Sequence, residues 1–239
     1  MQNKSNINNK FYDDKVVLKP WGYEYTLFRN STHCRVVFVH IKYQKKTSLH
    51  CHPSKNTGFI ILEGNTKVQL GIYKTNIKLY KPLKRLVLRK GLYHSLEAKT
   101  KKGLYALEFE FPVNESDLLR FEDSYGREKR NYEGKNYTKL HNFFRFKKLN
   151  KKDQSFTFKD KIIEILIIET KSDFKKISNK AVICVLKGFL KNKKNIVGLG
   201  YGEIMLGKTL LIFLKKFELQ KNKSLVIMSV KKLNKIEPI

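Results

Sequence analysis

Three of the six histidines stand out because of their spacing. His50 and His52 are separated by one residue in Ser-Leu-His-Cys-His-Pro, and His94 follows a glycine turn in Lys-Gly-Leu-Tyr-His. Side chains two residues apart on a β-strand point to the same face, so one strand would present His50 and His52 together. Neutral imidazole is the commonest metal ligand in proteins, and three imidazoles leave positions open for other ligands. The pattern predicts a three-histidine site for one divalent metal ion.

The elements that must position these histidines are short strands. Across residues 16–111, apolar or alternating runs recur about every ten residues, with turn residues at 63–65 and 90–91 between them. Enrichment in β-branched and aromatic residues favours an all-β sandwich or barrel. After Pro112, the polar run at 114–117 offers N-cap chemistry, which predicts a short helix from Leu118 that ends before Gly126.

A second β-rich block follows at residues 161–230, with predicted strands that include 161–169, 210–214 and 225–230. Its glycine turn at 185–188 matches the one at 61–64, which indicates a diverged internal duplication. No histidine follows His141, so the second block is predicted to lack a metal site of its own.

The histidine pattern resembles the two motifs of the cupin superfamily. The first motif runs Gly, five residues, His-x-His, three or four residues, Glu, six residues, Gly, and here His50, His52 and Gly64 fit it. The second motif ends in Pro-x-Gly-x-x-His, and Gly91 and His94 match it.

Two further segments resemble a subgroup of cupins. Lys-Pro-Trp-Gly-Tyr-Glu at residues 19–24 is similar to the start of phosphomannose-isomerase-like cupins of sugar metabolism. Residues 117–127 resemble a post-barrel segment of cupins encoded near sugar-nucleotide genes. The resemblance implies two cupin-type double-stranded β-helix barrels, the second degenerate, joined by a short helical linker. The expected division is an N-terminal arm at 1–15, a first barrel with the site at 16–112, a helical or irregular linker at 113–152 and a second barrel at 153–239.

The sequence departs from the cupin motifs at three positions: Thr57 replaces the usual glutamate ligand, Gln44 the first glycine and Arg89 the proline. Further ligands are therefore sought in Gln44, Thr57 and Glu108, although Gln44 also fits a turn. Glu108 and Glu110 share a strand face and are expected to face solvent as partners of lysines, because glutamate is mostly exposed.

Composition limits the classes of function. The net charge is +29, but most basic residues are lysines spread along the chain, and no nucleic-acid-binding motif accompanies them. We therefore interpret the lysines as a solvated basic surface and expect no nucleic-acid partner.

No apolar run reaches the ~18–20 residues of a membrane span, and the polar N-terminus does not resemble a signal peptide. Three scattered cysteines without CxxC spacing fit a reducing compartment, so a cytoplasmic location is expected.

These observations favour a metal-dependent isomerase or epimerase of a sugar phosphate or nucleotide sugar. An iron-dependent dioxygenase and a non-catalytic sugar-binding protein are the alternatives. The expected cofactor is one divalent ion of Zn, Mn, Fe or Ni. Because the usual glutamate ligand is missing, the site could be occupied fully, partly or not at all. Tyr93 and Glu108 are candidates for the catalytic base, and Arg120 and Arg127 for binding an anionic substrate, although a salt-bridge network explains both arginines equally well. A homodimer is expected.

Overall fold

The computed structural model describes residues 12–30, 33–129, 136–139, 144–146 and 152–233. Contacts divide the chain into two compact units, Met1–Pro82 with Val87–Arg145 and Leu83–Leu86 with Phe146–Ile239. Both units are built almost entirely from β-strands, so the predicted all-β class is confirmed. Within the described ranges, no helix has the length and apolar character needed to cross a membrane.

Twelve strands precede residue 145 in the described part of the chain. They are β1 (Lys15–Lys19), β2 (Gly22–Asn30), β3 (Cys34–Ile41), β4 (Leu49–Cys51), β5 (Asn56–Glu63), β6 (Thr66–Leu70), β7 (Ile77–Tyr80), β8 (Arg85–Leu88), β9 (His94–Ala98), β10 (Leu104–Phe111), β11 (Leu119–Glu122) and β12 (Tyr137–Lys139).

These strands form two sheets that enclose the core of the first unit. The seven-stranded sheet has the order β12-β1-β2-β3-β10-β5-β8, and the five-stranded sheet has the order β11-β4-β9-β6-β7. Val36, Leu107 and Phe109 on the central strands β3 and β10 are completely buried. Side chains of both sheets line a single cavity, so the two sheets face each other.

Two glycine turns fix the strands that carry the histidines. Gly64 has a φ of +80°, and a Cβ there would lie 2.2 Å from the carbonyl oxygen of Gly103, so only glycine fits. Gly91 has a φ of +75°, and its amide donates a hydrogen bond of 2.9 Å to the carbonyl of His52. The turn at Gly91 thereby ties the start of β9 to the end of β4.

The helix predicted from Leu118 to Gly126 is wrong, because residues Leu119–Glu122 form strand β11. Exposed and half-buried side chains alternate along β11 with the period of two that a strand requires. Asp117 does not cap a helix, because its carboxylate accepts hydrogen bonds from the amides of Ser54 and Lys55 instead. Much of the predicted linker, including His141, lies outside the described residues.

In the described residues, the second unit has two antiparallel sheets, one short α-helix and a 3₁₀ helix at Ser172–Lys176. The sheet orders are β13-β14-β20-β15-β18 and β17-β16-β19. The elements are β13 (Gln154–Phe158), β14 (Lys161–Ile168), β15 (Val182–Lys187), β16 (Leu190–Lys191), β17 (Val197–Leu199), β18 (Ile204–Leu206), α1 (Gly207–Phe213), β19 (Glu218–Leu219) and β20 (Leu225–Lys232).

Two of the strands predicted in the second block, at 161–169 and 225–230, are present as β14 and β20. The strand predicted at 210–214 is wrong, because α1 occupies most of that range. Leu210, Leu211 and Leu214 all pack on the core of the unit, which is a helical spacing. A short apolar run of this kind does not distinguish a strand from a buried helix by its pattern alone.

Candidate metal centre

The histidines are brought together by the pairing of β4 with β9. His50 on β4 lies directly opposite His94, the first residue of β9. His52 follows β4 immediately and is held beside His94 through the hydrogen bond from Gly91 to its carbonyl. The ring centroids of His50 and His94 are 4.4 Å apart, and those of His52 and His94 are 5.5 Å apart.

The three imidazoles are close together and are oriented in a way that leaves Nε2 of each one available to a metal ion. One potential ligand atom from each of the three residues lies within 4.8 Å of the other two. Each Nδ1 faces a backbone carbonyl, which only accepts hydrogen bonds, so each Nδ1 carries the proton. The distances are 2.8 Å from His50 to Ser48, 2.5 Å from His52 to Asp117 and 3.1 Å from His94 to Leu92. Nε2 is therefore left with its lone pair, as metal ligation requires.

Burial makes these nitrogens a good match for a metal ion. The Nε2 atoms of His52 and His94 are buried and have no hydrogen-bond partner within the part of the chain described. Burial and neighbouring positive charge lower the pKa of His52 to about 3, and burial lowers the pKa of His94 to about 4. Burial and then the charges of His94 and His52 hold the pKa of His50 well below its usual value. The site therefore offers neutral imidazoles at pH 7, and a Zn²⁺, Mn²⁺, Fe²⁺ or Ni²⁺ ion fits that donor set.

His50 and His52 line a cavity of about 70 Å³ between the two sheets, and His94 lies beside them. A buried water needs ~10–15 Å³ of such space, so the cavity has room for about five. Its wall combines apolar side chains, among them Trp21 and Phe59, with polar and charged ones. The charged and polar lining residues other than histidine are Lys19, Glu24, Thr47, Ser48, Lys55, Glu108, Glu110, Glu115, Arg120 and Arg127.

Glu108 and Glu110 on β10 form the acidic wall of this cavity. Glu110 is only 5% exposed, and its Oε1 accepts a hydrogen bond of 2.6 Å from Nζ of the buried Lys55. Although burial raises the pKa of Glu110, the charges of Lys55 and Arg35 outweigh burial and lower it. Burial, and then the negative charge of Glu110, raise the pKa of Glu108 to about 8. Two carboxyl groups on one strand therefore hold opposite protonation states at pH 7.

Two arginines reach the cavity from the segment after the barrel. Arg120 on β11 lies directly opposite His50 on β4, and it lines the cavity. Arg127 is buried, and its guanidinium donates hydrogen bonds of 2.6 Å and 3.0 Å to the carboxylate of Asp123. Arg127 therefore fits the salt-bridge interpretation, because it forms an ion pair with Asp123. Arg120 fits the interpretation as an anion-binding residue, because it lies opposite His50.

The other candidate residues have different surroundings from those of the three histidines. Gln44 is exposed in a turn with a φ of +59°, so the turn interpretation describes it and a ligand role does not. Thr57 is buried opposite Glu110 on the neighbouring strand, outside the residues that line the cavity. Tyr93 packs against Phe121 with ring centroids 5.6 Å apart and does not line the cavity. Glu108 lines the cavity but is not part of the ligand cluster.

Sequence reasoning missed the buried charges. The expectation that Glu108 and Glu110 face solvent is wrong, because both line the barrel interior. Lys55, at 3% exposure, was not distinguished from the many surface lysines. The spacing of Glu108 and Glu110 on one strand could have predicted that both carboxyl groups face the same side. No comparable pattern in the sequence distinguishes Lys55 from the other lysines.

Residues 6–123 match the family model for the C-terminal domain of mannose-6-phosphate isomerase. The match runs from before β1 to the end of β11 and includes the three converging histidines. The chain belongs to the cupin superfamily. No curated protein matches this cupin at significant similarity.

Several solved structures are similar to part of this cupin. The capsular polysaccharide assembling protein CapF from Staphylococcus aureus is 15% identical with a TM-score of 0.41, over 47% of this chain and 32% of CapF. KdgF from Halomonas sp. is 17% identical with a TM-score of 0.37, over 45% of this chain and 94% of KdgF. An uncharacterized protein with a double-stranded β-helix domain from Klebsiella pneumoniae is 13% identical with a TM-score of 0.38, over 50% and 100% of the two chains. This cupin thus spans about a third of the length of CapF.

Proposed function

We propose that this cupin is a metal-dependent isomerase or epimerase that acts on an anionic sugar derivative, either a sugar phosphate or a nucleotide sugar. The observation that carries the proposal is the convergence of three imidazoles at a cavity whose wall also carries the carboxyl group of Glu108. The match to the mannose-6-phosphate isomerase family supports a sugar phosphate as the substrate class.

His50, His52 and His94 would hold the metal ion through Nε2. When bound, a divalent ion polarises a carbonyl or hydroxyl oxygen of the substrate. The buried wall around the histidines excludes bulk water, which strengthens every electrostatic interaction in the cavity. Among the described residues, this cluster has three imidazoles and no carboxylate, so the remaining positions would be available to substrate oxygens.

Glu108 is the residue best placed to move a proton between adjacent carbons. Its carboxyl group lines the same cavity as His50 and His52, on the opposite sheet. A pKa of about 8 leaves roughly nine in ten molecules protonated at pH 7, and it lies close to the operating pH, where proton transfer in both directions is efficient. Glu110 stays ionised beside Lys55 and thereby keeps the proton on Glu108.

Arg120 would bind an anionic group of the substrate. Its position opposite His50 places a permanent positive charge beside the ligand cluster. The cavity of about 70 Å³ admits only the reacting end of a sugar, so the remainder of the substrate would lie at the mouth. Arginine suits this role because its planar guanidinium matches carboxylate and phosphate oxygens in pairs.

The proposal is tested by proton exchange. The purified protein, loaded in turn with Zn²⁺, Mn²⁺, Fe²⁺ or Ni²⁺, is incubated in ²H₂O with a panel of sugar phosphates and nucleotide sugars. Loss of a ring or α-carbon proton signal in ¹H NMR, dependent on metal and abolished in His94→Ala, is the expected result. No exchange with any substrate by the metal-loaded protein would contradict an isomerase or epimerase.

The same preparations separate the alternative functions. Oxygen consumption by the Fe²⁺-loaded protein in the presence of a sugar substrate would favour a dioxygenase. Saturable sugar binding without exchange or oxygen uptake would favour a non-catalytic sugar-binding protein.

A further inference from the structure

The three histidines are not oriented in the same way. Nδ1 of His50 donates to the carbonyl of Ser48, and Nδ1 of His94 donates to the carbonyl of Leu92, each two residues earlier on the same segment. His52 is different, because its Nδ1 donates over 2.5 Å to the carbonyl of Asp117, which lies 65 positions away along the chain. The orientation of one ligand therefore depends on a segment outside the barrel strands that carry the others.

Asp117 is held in place by its own carboxylate. That carboxylate accepts hydrogen bonds from the amide of Ser54 at 3.0 Å and from the amide of Lys55 at 2.9 Å. Both amides belong to the turn that follows His52, so Asp117 contacts this short segment through its side chain and through its main chain. Hydrogen bonds to an ionised acceptor are about twice as strong as neutral ones, which suits this contact to fixing a position.

The two contacts close a ring that includes His52. The chain from His52 to Lys55 is clamped at one end by the imidazole bond to the Asp117 carbonyl and at the other by the carboxylate of the same residue. The proton stays on Nδ1, and Nε2 of His52, which is buried without a hydrogen-bond partner in the described structure, points its lone pair into the cavity.

We propose that Asp117 is the positioning residue of the metal site, which fixes the tautomer and the ring orientation of His52 through its carboxylate anchor on residues 54–55. The proposal rests on the proposed metal-binding function, but the tautomer that it specifies belongs to the metal-free protein. Asp117 does not itself line the cavity, so its effect on the metal passes through His52.

The test replaces Asp117 with asparagine and uses Asp123→Asn as the matched control. Asp123 is a buried aspartate of the same segment that also accepts backbone amides, from Tyr125 and Arg127, but it touches none of the histidines. Affinity for Zn²⁺ is measured by competition with a chelator in the full-length protein. Asp117→Asn should weaken Zn²⁺ binding about 10- to 100-fold, the range typical of lost outer-shell partners, while Asp123→Asn leaves it unchanged.

A second measurement keeps the proposal testable if Asp117→Asn does not fold. Long-range ¹H–¹⁵N spectra of the metal-free wild-type protein report the tautomer of each histidine, and His52 should be protonated at Nδ1 only. Protonation of His52 at Nε2, or equal Zn²⁺ affinities of Asp117→Asn and wild type, would overturn the proposal. A wild-type protein that binds no Zn²⁺ but shows the Nδ1 tautomer would instead overturn the metal function and leave the positioning role supported.

Discussion

Replacing Glu108 with glutamine should change how the stability of the first unit depends on pH. In the unfolded chain this carboxyl group titrates near its ordinary value of 4.5, whereas in the fold burial and the charge of Glu110 raise the pKa to about 8. Between these two values the folded protein keeps a proton that the unfolded chain has released. The free energy of unfolding of the wild-type protein therefore falls as the pH rises through this window.

The size of the effect follows from the width of the window. Each pKa unit corresponds to about 1.4 kcal/mol, so the raised pKa of Glu108 lowers the free energy of unfolding by about 3 kcal/mol at pH 7. Glutamine carries no charge at any pH and has nearly the same shape. The stability of Glu108→Gln relative to wild type should therefore rise by about 4 kcal/mol between about pH 5 and about pH 9.

Urea denaturation followed by tryptophan fluorescence measures this difference. The only tryptophan, Trp21, is buried and lines the cavity, so its signal reports on the unit that contains Glu108. Glu128→Gln, at an exposed position, is the control for a glutamate-to-glutamine change without burial and should show no such trend. A stability difference that stays constant with pH, or that changes in the opposite direction, would refute the electrostatic account of the cavity.

Four further predictions concern the metal site. His94→Ala should lower Zn²⁺ affinity by more than about tenfold, as measured by chelator competition, whereas His33→Ala at an exposed position should not. Thr57→Glu should destabilise the metal-free protein by about 2 kcal/mol in thermal denaturation, because it places a carboxylate opposite Glu110. Because Thr57 does not line the cavity, Zn²⁺ affinity should stay unchanged in this variant, and stronger Zn²⁺ binding would show that position 57 reaches the site. Zn²⁺ affinity should stay constant from pH 7 down to about pH 5, because His52 and His94 resist protonation, and a loss that begins near pH 6.5 would contradict this. Arg120→Gln should weaken binding of inorganic phosphate to the Zn²⁺-loaded protein by about tenfold in calorimetry without weakening Zn²⁺ itself; equal phosphate affinity would remove Arg120 from substrate binding.

Local patterns were sufficient to predict most of the first unit. Strand alternation and glycine turns are short-range signals, and the match of His-x-His to a turn-linked third histidine could be read directly from spacing. The helix predicted after Pro112 failed because Asp117 caps a distant turn instead of a local helix, a choice that only the tertiary structure makes. The homodimer and the cytoplasmic location remain predictions.

Buried charge was the part that the sequence could not reveal. Lys55 looks like any other lysine in a chain with 50 basic side chains, because its burial depends on Glu110 across the β5–β10 pairing. Arg35 and Glu115 likewise come together at 3.3 Å from positions 80 residues apart. Buried ion pairs of this kind produce no periodic pattern in the sequence, because each charged residue taken alone is expected at the surface.

The clustered histidines and the carboxyl groups lie on opposite sheets of the first unit. His50 and His94 belong to the five-stranded sheet, and Glu108 and Glu110 belong to the seven-stranded one. Leu96 on β9 is buried and lines the cavity between the sheets, so a larger side chain at this position would fill part of the cavity or shift the backbone. Under the proposed function, metal affinity and proton transfer would be separable traits: substitutions that widen the gap between the sheets would slow proton transfer without changing metal affinity. One sheet could diverge towards a new metal and the other towards a new acid or base, each without first disturbing its counterpart.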